Sequence, residues 1–154
     1  MADPREWGPP MWKIYHTIAE NLGKSKKELA QNDELYYFKT LQKKILTILP
    51  CKVCKNHYKE YSKNIKSVPY NQIKKYGKEY FLNLHNEINE EADKPIVKYE
   101  DLETMYRYTK GEILKSINTL IVLYQKYVIM KYVKPEDINE FIRMLHIFIH
   151  MLSI

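Results

Sequence analysis

Apolar side chains recur every three or four residues through almost the whole chain, and that spacing is the signature of amphipathic helices. A first stripe, Met11, Tyr15, Ile18, Ala19 and Leu22, follows Gly8-Pro9-Pro10, and Gly23 is a natural stop. Proline suits an early helical position, where its missing N–H costs nothing. A second helix is predicted over about 34–48, with Leu35, Phe38, Leu41, Ile45 and Ile48 on one face and Pro50 ending it. A third starts at the cysteines and runs to about Ser62. A fourth spans about 70–91, carries Ile73, Tyr76, Tyr80, Phe81, Leu84 and Ile88, and ends before Lys94-Pro95. Residues 99–108 read as a short fifth. The remainder has the form of a helical hairpin: Ile113, Ile117, Leu120, Ile121, Tyr124 and Val128, then Ile138, Phe141, Ile142, Leu145, Ile149 and Leu152 after Pro135-Glu136-Asp137. Four glycines are few for a β-sandwich or a Gly-rich nucleotide loop. The fold class expected is all-α.

The chain of 154 residues has no run near the ~18–20 apolar residues that span a bilayer, so no membrane span is expected. Its start, MADPREWGPP, lacks the basic-then-apolar pattern of a secretory signal, which points to a cytoplasmic protein. The net charge is +6, but the lysines are scattered and form no run of five or six. Such charge is read as a solvated basic surface, with no nucleic-acid partner.

Only two cysteines occur, Cys51 and Cys54. A bridge closing so short a loop restricts little chain entropy, so stability is a poor reason for it. Metal binding and redox chemistry remain. Zinc needs four ligands; Cys51, Cys54 and His57 supply three, and His85 is the candidate fourth. Redox chemistry is favoured by the setting. After Pro50 the cysteines should open a helix, where the helix dipole and free N–H groups stabilise a thiolate, and Lys52 and Lys55 add positive charge. On this reading Cys51 is the more exposed sulfur and Cys54 lies one turn inward. A thioredoxin-like fold needs a βαβ context that the chain lacks. Spacing alone leaves zinc and disulfide chemistry both open.

Three further segments narrow the choice. Trp7-Gly8-Pro9-Pro10-Met11-Trp12 with His16, then Leu49-Pro50-Cys51-Lys52-Val53-Cys54-Lys55-Asn56-His57, then Leu84-His85-Asn86-Glu87-Ile88-Asn89 followed by Lys94-Pro95, stand in this order. Together they resemble the Erv/ALR flavin-linked sulfhydryl oxidases over about residues 6–108. The resemblance implies a helical bundle holding FAD, extended here by the C-terminal hairpin 109–154. It also implies oxidation of protein dithiols with oxygen reduced to hydrogen peroxide. Carried over, Cys54 stands next to the flavin ring and Cys51 accepts the client's electrons. Trp12, His16, His85, Asn86, Asn89 and Lys94 would line the FAD, with Gly8, His57 and Tyr99 as further candidate contacts. Packing is the alternative for His57 and Tyr99, and no metal site is assigned. His85 and Asn89 fall at i and i+4, on one helix face. Flat rings suit adenine and flavin planes, and Lys94 suits a phosphate.

The chain departs from many cellular members: no cysteine stands near Tyr99, and no distal cysteine pair could act as a shuttle. This short, cysteine-poor pattern is similar to the oxidases of large cytoplasmic DNA viruses, implying the cytoplasm of an infected cell or the virion. Without a shuttle, a protein dithiol substrate or a thioredoxin-like carrier has to reach Cys51 directly. The resemblance further implies a homodimer. A zinc-stabilised or catalytically inactive helical interaction module is the competing function.

Overall fold

The computed structural model describes residues 2–154, and they form helices joined by short turns, with no strand among them. Seven α-helices run in order: α1 Pro4–Glu20, α2 Glu28–Ile48, α3 Lys52–Tyr61, α4 Ile73–Glu91, the single turn α5 Leu102–Met105, α6 Lys110–Ile129 and α7 Pro135–Met151. Short 3-10 turns precede α4 and α5.

Two helices begin earlier than their apolar stripes suggest. Helix α1 starts at Pro4 because Asp3 caps it, its carboxylate accepting from the Arg5 N–H at 2.9 Å. Pro9 and Pro10 therefore lie inside the helix and deny N–H donors to the carbonyls of Arg5 and Glu6. Helix α2 gains its first turns from polar residues whose outer face is wet, with Leu29 among the most exposed apolar side chains. The buried Glu34 anchors this stretch: its carboxylate accepts from the Gly23 N–H at 2.6 Å and the Tyr70 hydroxyl at 2.7 Å.

One contiguous core runs from Ala2 to Leu152. Helix α4 crosses α1 and α2 closely at Gly77, where a Cβ would come within 2.6 Å of Leu22 Cδ1 and 3.1 Å of Phe38 Cζ. Phe81 stacks on Tyr15 just beyond, at 5.1 Å. The hairpin is not a separate body. Helix α6 packs along α1 and α7 along α2, so its stripes close the core from the other side. A full capping box, Thr109 with Glu112, starts α6. No helix among the described residues is long and apolar enough to cross a membrane.

Candidate active site

The two cysteines sit where α2 gives way to α3. Leu49 and Cys51 are both extended, so the chain turns at Pro50 and restarts as a helix at Lys52. Cys51 is the N-cap of α3. Its Sγ accepts from the Cys54 N–H at 3.4 Å, a sulfur standing where a hydroxyl or carboxylate usually caps. Both cysteines are free thiols.

Their exposure is the reverse of the sequence expectation. Cys51 is only 8% exposed, and Cys54 is the more open of the two. The reason is the cap itself: folding Cys51 Sγ back over the first turn tucks it against the core, and the next turn presents Cys54 to a half-open cavity. Burial, and then the hydrogen bond with Cys51, push the Cys54 thiol up to about 12.

That cavity is about 840 Å³, large for a ligand pocket on the usual scale of ~300–1,000 Å³. Trp7, Gly8, Met11, Trp12 and Tyr15 of α1 form one wall. Val53, Cys54 and His57 of α3 form a second, and Leu84, His85, Ile88 and Asn89 of α4 a third. Lys13 and Lys94 stand at its edge. A Cβ on Gly8 would meet nothing within 4 Å, so the backbone there is open to a close-lying ligand.

The aromatic wall is built as a unit. The Trp12 indole lies flat on the His85 ring, 4.0 Å between centroids with planes 5° apart. His16 Nε2 and His85 Nδ1 share a hydrogen bond of 2.9 Å, one ring donating to the other. His16 is backed by Tyr106, stacked at 4.3 Å, and its Nδ1 is buried with no partner. Burial and then His85 push His16 down to about 3; burial and then Lys94 push His85 down to about 4. Both rings are therefore neutral at physiological pH.

This has a stability consequence. Unfolded, both histidines titrate near 6.5. Below that pH the unfolded chain takes up protons that the folded chain refuses, so stability falls as pH drops from 6.5 toward 4. His16 contributes a slope of up to about 1.4 kcal/mol per pH unit, and the more exposed His85 contributes less. Denaturant midpoints at several pH values measure it. His16→Gln is expected to flatten the slope, and an unchanged slope would contradict a buried neutral pair.

The end of α4 places Lys94. Asp93 adopts the left-handed conformation, φ 53°. The Lys94 N–H reaches back to the Asn89 carbonyl at 2.8 Å and the Asp93 N–H to that of Glu90 at 3.2 Å, the paired bonds of a Schellman motif. Asn89 lines the cavity and donates to the Pro95 carbonyl at 3.4 Å.

Seven of the residues singled out from sequence thus meet on the cavity: Gly8, Trp12, Cys54, His57, His85, Asn89 and Lys94. Cys51 and His16 stand directly behind Cys54 and His85. Asn86 and Tyr99 lie elsewhere. Both ends of the Asn86 amide bind the backbone of Val97 at 2.9 Å, tying the following loop to α4. Tyr99 lies under the Lys78 ammonium, 4.6 Å from the ring centre, and Lys78 pairs with the buried Glu20 at 3.1 Å. Among the described residues no three His, Cys, Asp or Glu side chains gather closely enough to hold a metal ion, so the zinc set Cys51, Cys54, His57 and His85 is not assembled.

Sequence reading missed Tyr15, Tyr58, Tyr106 and Ser116 on the cavity wall. Tyr58 was within reach, since it falls one helical turn after Cys54. Its hydroxyl donates to the Gln42 carbonyl and meets the Tyr80 hydroxyl at 2.9 Å. Ser116 comes from α6, and no local pattern marks it.

The lining fits a ligand with a flat apolar ring system and an anionic portion: stacked rings and aliphatic walls within, the Asn89 amide beside them, and lysines at the edge. Comparison with known proteins points the same way. The profile of the Erv1/Alr family matches residues 9–108. A protein of Invertebrate iridescent virus 6, named as an FAD-linked sulfhydryl oxidase, is 26% identical over 111 residues, which span 69% of this chain and 96% of that relative. No solved structure matches significantly. With Cys54 of its CxxC pair opening on such a cavity and two thirds of its length matching the profile, this chain belongs to the Erv1/Alr family, the FAD-binding sulfhydryl oxidases.

Proposed function

We propose that the chain forms disulfides in protein clients, taking electrons at Cys51, passing them to Cys54 and delivering them to FAD held in the 840 Å³ cavity. The observation that carries this reading is that Cys54, and not Cys51, opens on the cavity walled by the stacked Trp12 and His85. In the disulfide form of the pair, a client thiolate attacks Cys51 Sγ and releases Cys54. The client's second thiol then attacks the mixed disulfide, releasing Cys51 and leaving the client oxidised. When bound, FAD supplies the two-electron step, accepting the pair's electrons and handing them to oxygen to give hydrogen peroxide. The chain's own part is positional. Trp12 and His85 offer a flat face for a ring, and the neutral His16 fixes the His85 tautomer through their hydrogen bond. Lys94, held by the α4 cap, offers charge to a phosphate. Cys54 holds its proton at neutral pH, and His57, three residues on, lines the same cavity and is the imidazole this reading assigns to receive it.

Trp12→Ala tests the binding half of this reading. Losing the stacked indole is expected to weaken FAD binding by about tenfold, equivalent to about 1.4 kcal/mol, measured by flavin fluorescence on the refilled apoprotein. Unchanged affinity would mean that the flavin sits elsewhere.

A further inference from the structure

The match to the family profile ends at residue 108, yet the helix that follows reaches the redox pair. Ser116 of α6 lines the same cavity as Cys54. Two turns further on, the fully buried Tyr124 donates its hydroxyl to the Ile48 carbonyl at 2.7 Å. Ile48 is the last residue of α2, and carbonyls at a helix C-terminus lack an intrahelical partner. The α2 cap residue, Leu49, is extended and the chain then turns at Pro50 into Cys51. Tyr124 therefore holds the upstream end of the four-residue segment Ile48–Cys51, whose downstream end is the Cys51 cap on α3. The phenol is itself seated from several sides. Tyr127 packs edge-on against it at 5.1 Å, and Tyr127 and Lys126 bind Glu6 of α1 at 3.3 and 3.2 Å. Burial, then nearby Tyr15, Tyr127 and Cys54, hold Tyr124 well above the ordinary phenol range, so it is a permanent donor.

We propose that Tyr124, from the C-terminal hairpin, is a positioning residue of the redox centre: by anchoring the Ile48 carbonyl it fixes the turn that seats Cys51 over the first turn of α3. The proposal rests on Cys51 and Cys54 being the redox pair. It makes the hairpin part of the active centre, and it sets how readily the buried Cys51 swings out to meet a client. Removing the hydroxyl leaves a buried carbonyl unsatisfied and loosens the turn.

Tyr124→Phe in the full chain tests it, because the ring stays and only the hydroxyl goes. The reduced protein is treated with iodoacetamide and the modification of each cysteine is followed by peptide mass spectrometry. Trypsin cleaves after Lys52, so Cys51 and Cys54 fall on separate peptides. Phe148→Leu in α7 is the control. Phe148 is fully buried and stacks on Tyr37 of α2, so its loss weakens the hairpin without touching Ile48. The expected result is Cys51 alkylation about fivefold faster or more in Tyr124→Phe, and the wild-type rate in Phe148→Leu even with a lower melting temperature. A wild-type rate in Tyr124→Phe overturns the proposal, as does equal acceleration in both variants. Failure of Tyr124→Phe to fold beside a folded Phe148→Leu also overturns it, because the hydroxyl would then serve the whole fold. Alkylation needs no flavin, so this outcome is separate from FAD binding, on which the oxidase reading stands or falls.

Discussion

A chain ending at residue 108 is expected not to fold. Ile113, Ile117, Leu120, Phe141, Leu145, Phe148 and Ile149 are all fully buried, and they are sealed against α1 and α2. At ~1.5–3 kcal/mol for each large apolar side chain removed from water, losing that interface rivals the whole ~5–15 kcal/mol stability of a typical domain. The surviving faces of α1 and α2 would turn apolar surface to water, and α1 carries one wall of the cavity. Circular dichroism and dye binding on the 1–108 fragment check this. A soluble fragment with a cooperative melt and full FAD content would show that the hairpin is an appendage.

The second large effect lies at the cysteines. Cys54→Ser is expected to keep FAD and abolish turnover with a protein dithiol, because only Cys54 faces the cavity. Cys51→Ser is expected to abolish turnover as well, by removing the sulfur that a client attacks, while Cys54 stays beside the flavin and still perturbs its absorption. Oxygen uptake and visible spectra of both variants measure these outcomes. A Cys51→Ser protein that still oxidised dithiols at the wild-type rate would show that clients reach Cys54 or the flavin directly. Folding is not at issue in either case. The cap bond from the Cys54 N–H to Cys51 is a weak sulfur contact of 3.4 Å, and serine at position 51 is itself a good N-cap.

The elements easiest to read in the sequence are those whose apolar stripe decides their burial. Helices α4, α6 and α7 have strong stripes, and their extents follow them to within a few residues. The starts of α1 and α2 are hidden because something other than a stripe makes them: the Asp3 cap ahead of Pro4, and a polar first turn leading to Glu34. The candidate site is largely legible because its chemistry is carried by rare residue types in local motifs. Trp12, His85, Asn89 and Cys54 reach one cavity through ordinary helical spacing on three helices. What spacing cannot tell is which side of an element a neighbouring loop will take. Asn86 turns to the backbone of Val97, and Tyr99 follows its loop to Lys78. Cys51 is buried by its own capping role, a tertiary outcome that a helix-start argument read the other way. Tyr124 lies 76 residues from the carbonyl it holds, so no local pattern could mark it.

The most direct measurement is the flavin absorption band of the purified full-length protein during anaerobic addition of a protein dithiol. The protein is expected to be yellow, to bleach as electrons pass through Cys51 and Cys54, and to regain its colour with hydrogen peroxide formed when air is admitted; Cys54→Ser is expected to stay yellow throughout. A colourless protein, or bleaching that proceeds equally well without Cys54, would contradict the path from client to Cys51 to Cys54 to flavin.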